Sequence, residues 1–242
     1  MECRFEKETV IPLSLCDDTG RLSVQGVFSV FMDLAAEHAE LIELGADKLA
    51  EKGVFWLTVR TKIHITERPK MMAKVRGCTW PEAPGRVRCN RFYALCDDNV
   101  TYAEGVTEWA LIDVNSGKLC KASDIYIPGT VFSQEKPDVA PFDKIPDSFD
   151  ESHKIDEYRI RSSDIDLGHH MNNSAYVRAL LGAVSCKELG ERNILGAEVV
   201  FKQPCYEGDV LSIYRRDTDS GFDMAMAAPD GRMAILARFA AK

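Results

Sequence analysis

Residues 163–176 read SDIDLGHHMNNSAY, which places a polar loop directly before a helix. Asn172 and Asn173 are both good residues to cap the N-terminus of that helix. Apolar side chains then recur at spacings of three and four, as in a helix that buries one face. They are Tyr176, Ala179, Leu180 and Ala183. The stretch therefore predicts a loop joined to one long helix, which Gly190 closes.

Strand-like segments surround that helix. One precedes it, and four follow it: residues 153–161, then 194–203, 209–216, 221–228 and 232–240. Turn-forming sequences separate the last three, from Asp217 to Gly221 and from Pro229 to Gly231. This half of the chain is predicted to pack its helix on an antiparallel sheet.

The same pattern occurs earlier in the chain. Residues 22–44 carry apolar side chains at helical spacing, and Gly45 is a typical stop. Four strand-like segments follow, at residues 54–65, 71–80, 86–96 and 101–112. Between the halves, residues 128–152 hold four prolines and many acidic residues with little periodicity, which is typical of a linker.

The two halves are therefore predicted to be a duplication of one architecture. Residues 1–127 and residues 153–242 each comprise a strand, a loop, one long helix and four strands. Aligning Asp18 with Asp166 sets the two loops 148 residues apart and brings the helix stripes into agreement. The predicted class is α+β, with tandem repeats of a long central helix and an antiparallel sheet.

Asp166 and His170 are the candidate chemical groups of the loop. They lie four residues apart beside a helix N-terminus, where unpaired backbone N–H groups favour negative charge. A carboxylate and an imidazole can accept and relay a proton there. The alternative is structural, since an Asp before a helix is commonly a cap and a loop His is commonly solvated. Their occurrence with Tyr176 and the two asparagines in one short segment favours catalysis.

The segment resembles the D-x-x-x-H-V-N-N-x-x-Y motif of hotdog thioesterases, and most of all the second half of the acyl-acyl-carrier-protein (acyl-ACP) thioesterases of plants and bacteria. The first half resembles this family at FWLTVR (55–60), IHI (63–65), PK (69–70) and TWP (79–81). The resemblance implies a double hotdog fold and hydrolysis of fatty acyl-ACP to a free fatty acid, which ends chain elongation. The implied partner is acyl carrier protein with a phosphopantetheine-linked acyl chain.

Thioester hydrolysis gives the loop residues expected roles. Asp166 would be the general base or the nucleophile, and His170 would position the carbonyl or water and relay a proton. Asn172 and Asn173 would cap the helix and hold the loop. The helix N-terminus would stabilise the oxyanion.

Two positions depart from the family pattern. Gly168 stands where many members have Asn, and Pro204 stands where many have Glu. The next residue, Cys205, is a second candidate catalytic group. The alternative is a buried, inert thiol, because a thiol reacts only in an accessible and electropositive setting.

The first half lacks this set of residues. Under the alignment above, Leu22 stands in the place of His170 and Val24 in the place of Asn172, so one active site per chain is predicted. The first half would then line the acyl-chain site, with four candidate substrate-binding residues: Phe28, Phe31, Met32 and Trp56. Each of them is equally typical of a plain core residue.

Net charge, apolar runs and cysteine spacing exclude several other classes of function. The 242 residues carry a formal net charge of −8, which disfavours nucleic-acid binding. No apolar run approaches the roughly 18–20 residues of a membrane-spanning helix, and the charged start lacks a signal peptide, so a cytoplasmic protein without membrane contact is expected. The eight cysteines form no CxxC pair, and no metal or cofactor is predicted.

Acyl carrier protein is acidic, so its docking requires a local basic patch on this acidic chain. Two clusters are candidates: Arg86, Arg88 and Arg91, or Lys202, Arg215 and Arg216. Other functions on this fold stay open, namely an acyl-CoA thioesterase, a non-catalytic acyl-binding module and, less favoured, a dehydratase. A homodimer also stays open, although a fused pair already replaces the dimer of single-hotdog proteins.

Overall fold

The computed structural model of the protein describes residues 3–242, so Met1 and Glu2 of the predicted N-terminal domain lie outside the described residues. The chain forms two compact units, of which the first ends at Ala140 and the second comprises Pro141–Lys242. No helix within the described residues is long and apolar enough to cross a membrane.

The first unit contains two α-helices and five β-strands within its described part. They are β1 (Phe5–Val10), α1 (Val24–Leu41), α2 (Ala46–Glu51), β2 (Val54–Ile65), β3 (Lys74–Pro81), β4 (Arg88–Cys96) and β5 (Thr101–Asp113). The strands pair in the order β1-β3-β4-β5-β2, and every neighbouring pair is antiparallel. The four predicted strands agree with β2 to β5 to within a few residues.

Helix α1 lies on the sheet of this unit. The Ser23 side chain accepts a hydrogen bond from the Gly26 N–H at 2.9 Å, which caps the helix. The Phe31 ring stacks on Tyr93 of β4, with ring centroids 4.9 Å apart. A Cβ at Gly105 would lie 2.7 Å from the Phe31 ring, so glycine at this sheet position lets the helix approach closely.

The second unit repeats the architecture. Its elements are β6 (Lys154–Arg159), α3 (Asn173–Gly182), α4 (Cys186–Glu191), β7 (Ile194–Phe201), β8 (Val210–Thr218), β9 (Gly221–Ala227) and β10 (Met233–Ala241). The strands pair in the order β7-β10-β9-β8-β6, which is the order of the first unit read from its other edge. All four pairs are antiparallel.

The prediction of one long helix ending at Gly190 is wrong for this unit. Helix α3 ends at Gly182, and Ala183 is its C-cap. Ser185 then caps a separate helix, because its hydroxyl accepts the Glu188 N–H at 3.2 Å. A serine cap within an apolar pattern therefore divides the predicted helix into α3 and α4.

The two units match at an offset of 149 residues, so the alignment of Asp18 with Asp166 is wrong by one residue. Strand β1 begins at Phe5 and β6 at Lys154, and the helix caps are Ser23 and Asn172. The counterpart of Asp166 is therefore Asp17. The counterparts of His170 and Asn172 are Arg21 and Ser23, and they are not Leu22 and Val24.

The segment predicted as a linker has no α-helix or β-strand between residues 128 and 150. It is held against the units by specific contacts. The Trp80 Nε1–H donates to the Glu135 carbonyl at 2.9 Å in the first unit. Ile145 is buried in the second unit, in a cluster with Tyr214 and Leu236. The boundaries 1–127, 128–152 and 153–242 stay a prediction.

Candidate active site

The loop before α3 folds into a tight turn. The Asp166 N–H donates to the His170 carbonyl at 3.0 Å, and the His169 N–H donates to the Asp166 carbonyl at 3.0 Å. The Asp166 carboxylate accepts the Gly168 N–H at 2.8 Å. His169 has a φ of 60°, in the left-handed region, and its side chain is exposed. Three hydrogen bonds therefore fix the backbone on which Asp166 and His170 are carried.

This turn brings the two predicted catalytic side chains together. His170 Nδ1 lies 3.6 Å from Asp166 Oδ1, and the two side chains are 30% and 26% exposed. The separation is slightly longer than a hydrogen bond, which is common at catalytic pairs before substrate binds. Both groups are therefore close enough to share a proton and open enough to meet a substrate.

Gly168 leaves room for the His170 ring. A Cβ at this position would lie 2.8 Å from His170 Nε2 and 3.1 Å from Asp166 Oδ1. The imidazole thus occupies the space that any side chain at position 168 would need. The glycine that departs from the family motif is linked directly to the placement of His170.

If His170 has its predicted role, the substitution Gly168→Ala is expected to lower kcat by about 10-fold to 100-fold, because a displacement of a catalytic ring by about 1 Å can cost about 100-fold. The Tm is expected to change by less than about 4 °C, since the residue lies in an exposed turn with an ordinary φ. Gly190→Ala is the matched control, because a Cβ there meets no atom within 4 Å. Steady-state kinetics and thermal unfolding of both variants check this. Full activity of folded Gly168→Ala would contradict the role given to the ring position.

Asn172 caps α3 and ties it to the loop. Its side-chain oxygen accepts both the N–H and the hydroxyl of Ser174 at 2.8 Å. Its own N–H donates to the Asp164 carbonyl at 2.7 Å. The amide oxygen is therefore committed to the cap, which favours a positioning role for Asn172 within the site.

Asp164 is a site residue that the sequence did not reveal. Its buried carboxylate accepts the Tyr158 hydroxyl at 2.9 Å and the Arg161 N–H at 2.8 Å, and it pairs with Arg178 of α3. A buried carboxylate is costly unless it is paired and hydrogen-bonded, so these partners hold the loop against the helix. Arg178 stands at an exposed helical position, where an arginine gives no signal of a buried partner.

Cys205 lies next to the turn but in an unreactive setting. Its carbonyl accepts the Met171 N–H at 2.8 Å, and its side chain is buried. Burial raises the pKa of the thiol, and the neighbouring Tyr176 hydroxyl acts in the opposite direction. That hydroxyl is itself buried and makes no hydrogen bond of normal geometry within residues 3–242. The thiol form of Cys205 therefore dominates, and only the thiolate is a strong nucleophile.

The first unit has the same turn with different chemistry. The Asp17 N–H donates to the Arg21 carbonyl at 2.9 Å, and the Asp17 carboxylate accepts the Thr19 N–H at 3.0 Å. The carboxylate also pairs with Arg68. Although burial opposes it, hydrogen bonds from Thr19 and Arg68 hold the pKa of Asp17 below its usual value. An arginine occupies the place of the imidazole, so this turn has an ion pair and no carboxylate–imidazole pair.

The four predicted substrate-binding residues all lie in the first unit. Phe28 and Phe31 of α1 are buried, whereas Met32 and Trp56 are partly exposed. Trp56 contacts Trp109 edge to face, with ring centroids 6.4 Å apart. Their contribution to substrate binding stays a prediction.

Neither predicted basic cluster is a free patch. In the first cluster, Arg88 is paired with Glu108 and Arg91 is buried, whereas Arg86 is exposed and forms no ion pair within the described residues. In the second cluster, Lys202 pairs with Asp147, Arg215 with Glu188 and Asp217, and Arg216 with Asp223. Within the described residues, these carboxylates neutralise most of the charge that the sequence suggested for docking.

The cysteines make no disulfide. All eight lie in the described residues, and each is unpaired. Within residues 3–242, no group of three or more His, Cys, Asp and Glu side chains is arranged to hold a metal ion.

Sequence models of one protein family match both parts of the chain. The model described as "Acyl-ACP thioesterase N-terminal domain" matches residues 2–128, and the "Acyl-ACP thioesterase C-terminal domain" matches residues 148–229. The chain is 21% identical over 206 residues to oleoyl-acyl carrier protein thioesterase 1 of Arabidopsis thaliana, covering 78% of this chain and 57% of that protein. It is 20% identical to the corresponding thioesterase of Coriandrum sativum, with 78% and 56% covered. The chain thus spans little more than half the length of these relatives.

Solved structures share the fold of the whole chain. An acyl-ACP thioesterase from Bacteroides thetaiotaomicron superposes with a TM-score of 0.88 at 20% identity, covering 99% of this chain and 98% of that one. The 12:0-ACP thioesterase from Umbellularia californica superposes with a TM-score of 0.81 at 16% identity, with 99% and 97% covered. The fold is therefore that of these thioesterases.

Proposed function

Because this chain belongs to the acyl-ACP thioesterase family, we propose that it hydrolyses the thioester of a fatty acyl-ACP and releases the free fatty acid. The observation that carries the proposal is the Asp166–His170 pair, 3.6 Å apart at the N-terminus of α3. The segment matched by the C-terminal family model, residues 148–229, contains this pair. The acyl carrier protein with its phosphopantetheine arm is the proposed partner.

In the proposed reaction, Asp166 takes a proton from a water molecule whose oxygen attacks the thioester carbonyl carbon. The carbonyl π electrons move to oxygen, and when they return the C–S bond breaks. The proton passes through His170 to the departing sulfur, which leaves as a thiol. A nucleophilic carboxylate that forms an anhydride, later hydrolysed by water, is the alternative role for Asp166. Cys205 is assigned no step, because its thiol is buried.

The first turn of α3 supports oxyanion stabilisation. The Asn173 N–H is at the first helical position, and it donates to no acceptor within residues 3–242. Such a donor at the positive end of a helix dipole favours the charge that develops on the carbonyl oxygen. We assign this N–H to the oxyanion, and the carboxylate and imidazole to proton transfer.

We further infer that each unit is a hotdog, with its main helix against a curved antiparallel sheet. The helix contact between Phe31 and Tyr93 supports this for the first unit. Eight unpaired cysteines are typical of a reducing compartment, which supports the cytoplasm as location. A homodimer stays a prediction.

The proposed function is tested by hydrolysis of acyl-ACPs with about five acyl chain lengths between about 8 and 18 carbons. The thiol released from each substrate is measured at several substrate concentrations. The same acyl groups on coenzyme A form the second arm. Higher kcat/KM on the ACP thioesters supports the proposal. Preference for the CoA esters identifies an acyl-CoA thioesterase, and bound acyl group without turnover identifies a binding module.

The first unit is proposed to bind the acyl chain, and substitutions in α1 are expected to change chain-length preference. Met32 is partly exposed on this helix and can be enlarged to Phe or shrunk to Ala with little effect on the core. Each methylene in an apolar site is worth about 0.8 kcal/mol, so a shift by two carbons changes relative kcat/KM by about 10-fold. Phe28→Leu is the second variant, while Phe31 is avoided because it stacks in the core. Product profiles identical to the parent's in every folded variant would remove the first unit from acyl binding.

A further inference from the structure

Arg91 is an arginine in the interior of the first unit. It lies on β4, and the residue is 7% exposed. Its Nη1–H donates to His38 Nδ1 of α1 at 2.9 Å and contacts Thr79 Oγ1 of β3 at 3.4 Å. An arginine has five N–H donors in a planar fork, so most of the donors of Arg91 have no acceptor among residues 3–242.

No carboxylate within the described residues lies within 4 Å of the Arg91 guanidinium. Arg88 of the same strand behaves differently, because it pairs with Glu108. A buried cation without a counter-charge carries a large desolvation penalty, which an opposite charge with matching hydrogen bonds offsets. The guanidinium fork fits a carboxylate in particular, because two parallel N–H groups meet two oxygens.

The groups around Arg91 are polar and neutral. Since Arg91 must be the donor, His38 Nδ1 is the acceptor, and the ring proton is on Nε2. Burial, together with the charge of Arg91, lowers the pKa of His38 to about 4, so the histidine adds no charge near neutral pH. The Tyr93 hydroxyl is buried beside Thr107 and Trp109 and makes no hydrogen bond of normal geometry within residues 3–242. The cluster therefore has one positive charge and further donors that are not used within the described chain.

Aromatic rings contact two members of this polar cluster. Phe5 stacks on the His38 ring, with centroids 5.8 Å apart, and Phe31 stacks on Tyr93. Phe28 and Leu34 of the same helix are also buried. A ligand at this place would need an anionic head for Arg91 and an apolar body for the helix face.

We propose that the interior of the first unit holds a binding site for a carboxylate carried on an aliphatic chain, with Arg91 as its anchor and His38 and Tyr93 as polar neighbours. This chemistry has two sources under the proposed function: the released fatty acid, or an acyl group with a second carboxylate at its far end. The binding part of the inference concerns the first unit alone, and it does not depend on hydrolysis.

Binding is tested on the full chain by thermal unfolding and by calorimetry with decanoate. At about 100 times Kd, decanoate is expected to raise the Tm of the parent by about 5–10 °C. Decanol has the same chain without the charge. At the same concentration it is expected to give less than about a quarter of the decanoate shift, because only the burial of its apolar chain remains. Arg91→Met is expected to abolish the decanoate shift while keeping or raising the Tm without ligand, because removal of an unpaired buried charge is not destabilising.

Two controls make the result specific. Arg88→Met removes an exposed charge from the same strand, and it is expected to keep the decanoate shift. Glu2→Gln tests a counter-ion from outside the described residues. If Glu2 neutralised Arg91, both Glu2→Gln and Arg91→Met would lower the Tm, and decanoate would shift no variant. That result, or equal decanoate shifts in the parent and Arg91→Met, would overturn the proposal.

The source of the carboxylate is then distinguished by kinetics. Decanoyl-ACP is compared with the decanedioyl monothioester of ACP. If the parent prefers the decanedioyl thioester and Arg91→Met removes this preference, the site binds the carboxylate at the far end of the acyl group. Equal kcat/KM, with decanoate binding retained, assigns it to the free fatty acid. If neither substrate is hydrolysed, the proposed function is rejected, but the decanoate-binding result can still be interpreted.

Discussion

Asp166→Asn is expected to lower kcat by at least about 100-fold while the fold is retained, because an amide cannot accept the proton that a general base must take. The asparagine side-chain oxygen can still accept the Gly168 N–H, so the turn is expected to keep its shape. Thermal unfolding and circular dichroism establish that the variant is folded. Single-turnover hydrolysis of acyl-ACP then measures the chemical step.

The first unit supplies a matched control. Asp17→Asn makes the same change in the same turn, but Asp17 faces Arg68 and has no imidazole beside it. The control is expected to keep kcat within about 3-fold and to lose some stability, since a partly exposed ion pair is worth about 1 kcal/mol or less. Equal losses in both variants would show that the effect is structural and would remove Asp166 from the reaction.

His170→Ala is expected to reduce kcat by about 100-fold or more, and Cys205→Ala by less than about 5-fold, because proton transfer contributes about 100-fold to 10,000-fold. The imidazole lies 3.6 Å from the carboxylate and is partly exposed. The thiol is buried, and burial raises its pKa. Hydrolysis rates and the rate of alkylation by iodoacetamide in the folded protein check both parts.

A severe loss of kcat in folded Cys205→Ala would favour a thiol mechanism instead. Rapid alkylation of the native protein at Cys205 would point the same way. His170→Gln adds a further measurement, since glutamine keeps hydrogen bonding without titrating near neutral pH. If Gln restores the rate, His170 acts by positioning, and if it does not, proton relay is supported.

The sequence predicted most of the strands because their turns carry strong signals. Strand β2 occupies Val54–Ile65, as predicted, between Gly53 and the turn that follows Ile65. The separate helix α4 was less predictable from the sequence, because Ser185 is a weak signal of a helix start within an apolar pattern. Its capping bond to Glu188 depends on the local backbone, and any serine at such a position can be a cap or a solvated side chain.

The candidate site could be predicted where the chemistry is local in sequence. Asp166 and His170 are four residues apart, and one turn brings them together. The register of the duplication was not fixed by the sequence, since Asp17 and Asp18 are adjacent and both fit the pattern. The choice follows from backbone hydrogen bonds of the turn, which bring Asp17 to Arg21.

Long-range contacts are the part that the sequence could not supply. Asp164 meets Tyr158 and Arg178 only when the loop folds onto α3. The sequence offers Arg91 only as a member of a candidate basic cluster, since arginines are mostly exposed. Its burial depends on how α1 lies over β4, which brings His38 to it from 53 residues away.

The paired turns at Asp17 and Asp166 have an evolutionary consequence. In an assembly of identical subunits, one substitution changes every copy of a turn at once, so a mutation that removes the imidazole removes it from all sites. In a tandem chain, each copy is encoded separately and can accumulate its own changes. In this chain the first copy has Arg21 in the place of the imidazole and an Asp17–Arg68 pair, so the two turns differ within one molecule.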